Sequence, residues 1–250
     1  MINNLMEKLV RRIYPDELYC LSCGKAIDWS RPYGLCDSCM KNMKWASGRL
    51  CRKCGKLLSD NNPGDTCYNC RAISHKFNQG YSCIEYGIQG RSLVYALKYD
   101  EKPAVARSIG EIMADRMLAE FTEEELRGKY DLIVPVPVAE ERLKARGYNQ
   151  AALIAEYFAA KTGLPYYGEV LARTRETAKL KGMTPSERRA SLQGSFATSF
   201  ASLGGASCLV IDDIMTTGAT ADEVAEVLYA SGAANVDFLS FASGADVIKS

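Results

Sequence analysis

The stretch Leu209-Val-Ile-Asp212-Asp213-Ile-Met-Thr216-Thr217-Gly218-Ala219-Thr220 sets two carboxylates at the end of an apolar run and follows them with hydroxyls and a glycine. A helix that opens just after such a turn presents unpaired backbone amides, and these amides attract a phosphate. Thr216, Thr217 and Thr220 add hydroxyl donors, and Gly218 lets the backbone approach an anion closely. Carboxylates beside a phosphate cradle repel the ligand unless they hydrogen-bond sugar hydroxyls or act through magnesium. A ribose phosphate meets both demands. The segment is not a Walker loop, since no GxxxxGK[ST] occurs, and no Gly-x-Gly-x-x-Gly precedes a helix.

A second chemistry belongs to cysteine. The chain has 10, eight of them between Cys20 and Cys70. Cys20, Cys23, Cys36 and Cys39 form two CxxC pairs, and Cys51, Cys54, Cys67 and Cys70 repeat that spacing further along the chain. Four thiolates at tetrahedral geometry satisfy a zinc ion completely, and a CxxC turn brings two sulfurs to one metal. With no open coordination position, both sites are expected to be structural. Gly24 and Gly55 follow the second cysteine of each set, where a residue without Cβ allows positive φ and turns amides toward the sulfurs. Neither set has that glycine after its fourth cysteine. This order favours two self-contained ribbons in tandem, although a cross-braced arrangement, Cys20/Cys23 with Cys51/Cys54, uses the same residues. Iron in a rubredoxin-like site is the competing metal.

The elements that must position these groups follow from patterning. A length of 250 residues suits one or two domains, and 47% apolar with 24% charged residues is ordinary globular usage, which excludes a disordered or fibrous chain. The net charge of +1 excludes a strongly basic nucleic-acid binder as the whole-chain description. Residues 1–80 carry 13 basic against 7 acidic side chains and the remainder 18 against 23, so character changes near residue 80. Eight thiolates around two zinc ions absorb most of that local excess, and Arg11, Arg12, Lys41, Lys44, Arg49, Arg52 and Lys53 are as compatible with a solvated surface as with nucleic acid. We expect a ribbon domain over 1–78 and a second domain over 79–250.

The N-terminus lacks a long apolar core and carries Glu7 where one would lie, so it does not read as a secretory signal. No run is long and apolar enough for a transmembrane helix. A reducing cytoplasm is the expected compartment, where paired cysteines hold metal rather than form disulfides. Ile2, Leu5, Met6, Leu9, Val10 and Ile13 fall at helical spacing.

After His75 the chain alternates. Strands are expected at Tyr81–Tyr86, Asp131–Pro137, Tyr166–Leu171, Cys208–Ile211 and Val236–Phe241. Helices are expected at Gly90–Tyr99, Pro103–Phe121, Asn149–Thr162 and Thr220–Ser231. Strands separated by helices indicate a parallel α/β sheet, whose ligands gather at the carboxyl ends of the strands. Arg173 to Gln193 is basic and shows little periodicity. His75, the single histidine, reads as a surface residue in a linker, and Cys83 and Cys208 read as small core residues.

VIDDIMTTGAT resembles the phosphoribosyl-pyrophosphate (PRPP) motif of type I phosphoribosyltransferases. Together with the double zinc ribbon, Ala96-Leu-Lys98-Tyr99, Val134-Pro-Val-Pro137, Arg146-Gly-Tyr-Asn-Gln150 and Glu187-Arg-Arg, it resembles the ComF competence-protein family along nearly the whole chain. The resemblance implies a type I phosphoribosyltransferase-like parallel sheet flanked by helices, a relation in type to amidophosphoribosyltransferase, and an association with DNA uptake. It implies that Asp212 and Asp213 bind the ribose hydroxyls, directly or through magnesium, and that Thr216, Thr217, Gly218, Ala219 and Thr220 hold the 5-phosphate. The loop at Val136-Pro137 corresponds to the pyrophosphate loop and Arg173–Arg189 to a flexible lid. The chain departs from many relatives at Lys179-Leu180 and Ser191-Leu192, where they carry Pro-Gln and Asn-Leu.

Displacing pyrophosphate builds positive charge on the ribose ring and negative charge on the leaving group, which calls for positioning and charge stabilisation. Lys98, Arg142, Arg146 and a lid arginine, Arg173 or Arg175, are the candidate cations. Arg146 joins Asp212 and Asp213 as the expected catalytic set. Asn149 and Gln150 suit either ligand contact or a helix start. No residue identifies the acceptor. The competing reading is a binding module that senses PRPP or grips single-stranded DNA beside the competence import machinery, with Trp29, Tyr33, Trp45 and Tyr68 available in the ribbons for stacking or for ribbon core.

Overall fold

The computed structural model describes residues 18–28, 30–99, 103–175 and 184–247. The helical spacing at Ile2–Ile13, Trp29, and Lys179-Leu180 lie outside the described residues.

Each ribbon folds as a CxxC knuckle followed by a short helix, α1 (Asp37–Asn42) or α2 (Tyr68–Ala72), capped by the third cysteine of its set. There follow β1 (Gly80–Glu85), α3 (Ile88–Tyr99), α4 (Pro103–Leu118), α5 (Glu123–Lys129), β2 (Leu132–Pro135), α6 (Glu140–Arg146) and α7 (Gln150–Thr162). The chain continues through β3 (Leu171–Arg173), α8 (Pro185–Leu192), β4 (Phe196–Thr198), β5 (Ser207–Met215), α9 (Ala219–Ala230) and β6 (Asn235–Ser243).

The main sheet is parallel, in the order β1-β6-β5-β2, with Val134 opposite Val210 and Val210 opposite Phe238. Its strands are largely apolar and buried because both faces are covered. Alternation along β5 and β6 assigns the side chains. Leu209, Ile211, Leu239 and Phe241 face one core with α3, α4 and α7, while Val210, Val236 and Phe238 face the other with α9 and β3-β4. Each ribbon joins one of these cores: Cys20, Leu35 and Cys39 the first, Cys51, Leu58 and Cys67 the second.

Both sheet margins continue into loops. Tyr166 pairs in parallel with Ile133, and Trp45, between the two ribbons, pairs antiparallel with Ile84. The Ala46 amide donates to the Cys83 carbonyl and the Glu85 amide to the Lys44 carbonyl, each at 2.8 Å. The inter-ribbon linker thus covers backbone that β1 would otherwise leave open at its edge. Gly55, at φ +68°, lies so close to the start of β1 that a Cβ there would meet the Gly80 carbonyl at 2.6 Å.

The expected strand at Tyr166–Leu171 is divided. The chain makes one bridge at Tyr166, then enters β3, which pairs antiparallel with β4. These three-residue strands are too short to show alternation. The polar segment after Arg173 contains α8, whose start is marked by Pro185 at the first turn and a Thr184/Glu187 capping box. Cys83 and Cys208 are core residues in β1 and β5, their thiols pushed up to about 12 by burial.

Candidate functional site

β5 ends in the core and delivers Asp212 and Asp213 at its carboxyl end, with Thr216–Gly218 forming the turn into α9. Gly218, at φ +78°, is the N-cap of α9 and gives it no side-chain cap. The first amides of this 12-residue helix are therefore left for a ligand. Asp212, Ile214, Met215, Thr216–Ala221 and Leu192 of α8 line a cleft.

The two carboxylates differ. Asp213 has a side chain only 5% exposed and forms an ion pair with the Lys98 ammonium at the end of α3. Burial, the largest single influence, would raise its pKa, but the charge of Lys98 and the hydrogen bonds of its neighbours together hold it below the ordinary value. Asp212 accepts from the Asp213 amide at 2.8 Å. Its carboxyl is pushed well above the usual range by burial and then by the charge of Asp213. Asp213 Oδ2 is buried and faces the Lys98 ammonium as its ion-pair partner. A buried oxygen with spare acceptor capacity, beside a carboxyl crowded by its neighbour's charge, fits an oxygen-seeking divalent cation such as magnesium.

Gln150 is buried at the start of α7, adds a hydrogen bond that lowers the pKa of Asp213, and accepts from Arg146 Nη1 at 2.9 Å. The Arg146 guanidinium also lies 5.5 Å from the centre of the Tyr99 ring. Asn149 caps α7 by accepting from the Ala151 amide at 3.1 Å and donates to the Val136 carbonyl at 3.1 Å, holding the loop at Val136-Pro137. The structure thus brings Lys98, Arg146 and Val136-Pro137 to the margin of the Asp213 site. Arg142 is exposed on α6. Arg175 instead donates to the Gln193 carbonyl at 2.6 Å and the Ser191 carbonyl at 3.2 Å.

His75 is not a surface residue. Its side chain is 1% exposed and stacks on Phe77, with 4.9 Å between ring centres. Nδ1 lies 3.0 Å from Asp222 in the first turn of α9. Burial by a partner 147 positions away leaves no local signal in the sequence.

The cysteines gather in two sets, Cys20/Cys23/Cys36/Cys39 and Cys51/Cys54/Cys67/Cys70, with sulfurs within 4.8 Å of one another in each. This is the tandem arrangement, not the cross-braced one. The Cys36 amide donates to Cys20 Sγ at 3.4 Å and the Cys67 amide to Cys51 Sγ at 3.2 Å. Burial opposes ionisation of Cys20, yet backbone amides bring its thiol down to about 7. Four sulfurs gathered this closely in each set fit zinc. Gly24 and Gly55 both adopt positive φ, as their place after CxxC predicts. Several ribbon cations have protein partners: Lys44 pairs with Glu85 at 2.5 Å, Arg52 with Asp65 at 3.0 Å, and Arg49 donates to the Asn62 carbonyl at 2.9 Å. Tyr33 and Trp45 pack on the core, and Tyr33 donates to Asp115 at 2.8 Å.

A double zinc ribbon domain model matches residues 9–85. The chain is 26% identical over 204 residues to DNA utilization protein YhgH of Salmonella typhimurium, covering 82% of this chain and 88% of the relative. It is 25% identical over 197 residues to competence protein F of Haemophilus influenzae, covering 78% and 84%. Among solved structures, glutamine PRPP amidotransferase from B. subtilis, complexed with ADP and GMP, is 17% identical with a TM-score of 0.37. That match covers 58% of this chain and 30% of the amidotransferase chain. No helix among the described residues is long and apolar enough to cross a membrane.

Proposed function

We propose that this protein, similar along about four fifths of its length to proteins of DNA utilization and competence, binds PRPP with magnesium and transfers its phosphoribosyl group to a nitrogen acceptor. One observation carries the reading: an uncapped helix N-terminus directly follows two adjacent carboxylates at the carboxyl end of an interior parallel strand.

In this reading residues 1–78 form the zinc-bearing unit and residues 79–250 supply the reaction site. The turn from Thr216 to Thr220 holds the 5-phosphate through backbone amides and threonine hydroxyls. Asp212 and Asp213 hold the ribose hydroxyls and are the residues that would carry magnesium. Magnesium, when bound, neutralises the pyrophosphate as it departs. Lys98 balances Asp213 and stands ready for the leaving group. Arg146, steered by Gln150, adds a second cation beside the Val136-Pro137 loop. The bond from the anomeric carbon to the pyrophosphate oxygen breaks as the bond to the acceptor nitrogen forms, and orientation of the two partners supplies most of the rate. Eight cysteines held as thiolates suit the cytoplasm, and the likeness to competence protein F supports a role in competence.

The test is pyrophosphate release from PRPP with magnesium, over a panel of bases, amines and glutamine. Release that depends on one acceptor and disappears in Asp213→Asn, with zinc content unchanged, supports transfer. Release no greater than that of Asp213→Asn across the panel contradicts it.

A further inference from the structure

We infer that the second zinc ribbon positions the phosphate loop through Asn69, His75 and Asp222, so that the second zinc site and this loop form one coupled unit from which the first zinc site stands apart. The consequence for PRPP rests on the function proposed above. The consequence for the loop does not.

Asn69 stands in α2 between Cys67 and Cys70. Its Nδ2 donates to the Thr217 carbonyl at 3.1 Å and lies 3.2 Å from His75 Nε2. A carbonyl can only accept, so the Thr217 contact fixes which atom of the Asn69 amide faces the loop. The same NH2 then donates to Nε2, which leaves the imidazole proton on Nδ1, where it donates to Asp222 at 3.0 Å. The tautomer is therefore set by the network.

The ring also shapes the turn. A Cβ on Gly218 would stand 2.6 Å from His75 Cε1, so the glycine lies flat against the imidazole. Asp222 gathers three further contacts. Its Oδ1 accepts from the Lys76 amide at 2.8 Å, its Oδ2 from Arg189 of α8 at 2.9 Å, and its own amide donates to the Gly218 carbonyl at 2.8 Å. One carboxylate thus ties together the segment leaving the second ribbon, the first turn of α9 and α8.

The first ribbon packs elsewhere. Its contacts run to α3 through Ser22 and Ser92, 2.8 Å apart, and to α4 through Tyr33 and Asp115. An anion cradle of backbone amides binds well only when those amides are already aimed, and a glycine turn is costly to order. Asn69 and His75 are accordingly positioning residues, acting through the loop backbone.

The test uses the full chain loaded with two zinc ions, in wild type, Asn69→Ala, His75→Ala and the first-ribbon control Ser22→Ala. Amide hydrogen exchange is followed over residues 216–225. Exchange at Asp222 and the next amides should be about tenfold faster in Asn69→Ala and His75→Ala and unchanged in Ser22→Ala. Unchanged exchange in Asn69→Ala overturns the inference, and this half-buried position keeps the test available should His75→Ala not fold.

Coupling must also be reciprocal. PRPP with magnesium should raise the zinc affinity of the second-ribbon site, and not of the first, in wild type, and of neither in Asn69→Ala. Equal tightening of both sites, tightening of the first alone, or of neither in a wild type that binds PRPP, also overturns it. Faster exchange in Asn69→Ala, together with a wild type that fails to bind PRPP, would instead sustain the coupling of ribbon and loop and contradict the proposed function.

Discussion

Asp212 and Asp213 are neighbours in sequence with opposite electrostatics. Lys98 and the neighbouring hydrogen bonds together offset burial at Asp213, whereas burial and the Asp213 charge both raise the pKa of Asp212. A cation-dependent ligand favours the ionised carboxylate, so affinity for PRPP with magnesium should rise with pH through the raised pKa of Asp212 and level off above it. In Asp212→Asn the residual affinity should show no such rise, and calorimetric titrations across a pH series check both. Lys98→Ala leaves a buried carboxylate unpaired and should destabilise the fold by about 3 kcal/mol, read from denaturant midpoints. The carboxylates and the threonine turn were legible in the sequence because they are contiguous, and the zinc ligands because CxxC spacing is itself a geometry. His75, Asn69 and Asp222 carry no such signal. Their contacts join residues about 150 positions apart, and each residue alone reads as ordinary surface or helix polarity.

At the scale of elements, legibility followed the strength of periodicity. α7 and α9 matched their expected spans to within a residue, and β5 and β6 run longer than expected, at nine residues each. A parallel strand covered on both faces reads as an unbroken apolar run, which marks its middle better than its ends. The short α5, α6 and α8, and the antiparallel β3-β4 pair, hold too few residues for a period to show. α8 was further hidden by its polar composition, although its capping box was present in the sequence. α7 bears much of the packing between α4 and the sheet, with Ile154 and Phe158 fully buried. Phe158→Ala should cost about 3–5 kcal/mol in chemical denaturation through lost transfer energy and an unfilled cavity.

At the scale of the molecule, sequence composition changes near residue 80 while the packing is continuous across it. Residues beside Trp45 extend the sheet at β1, and each ribbon contributes cysteines to one of the two cores. Asp246 adds a tie from the far end of the sheet: it accepts from Asn62 Nδ2 at 2.6 Å and from the Tyr68 amide at 2.9 Å. Burial opposes its charge, but these hydrogen bonds prevail and hold its pKa below the ordinary value. A carboxyl lowered in the folded state contributes stability above its unfolded pKa and loses it as pH falls through the folded one. Asp246→Asn should therefore lower stability by about 2 kcal/mol at neutral pH and remove that part of the acid dependence, as thermal melts at neutral and acid pH would report. The two cores and the bond from Asn69 to Thr217 make the ribbons a support for the β5–α9 loop. The most direct measurement of the account is calorimetric titration of the zinc-loaded protein with PRPP and magnesium, beside the double variant Asp212→Asn/Asp213→Asn. Saturable binding that the double variant loses is the predicted result. Heat no greater than that of the variant, from a folded protein holding both zinc ions, would contradict the assignment of the β5–α9 loop to PRPP.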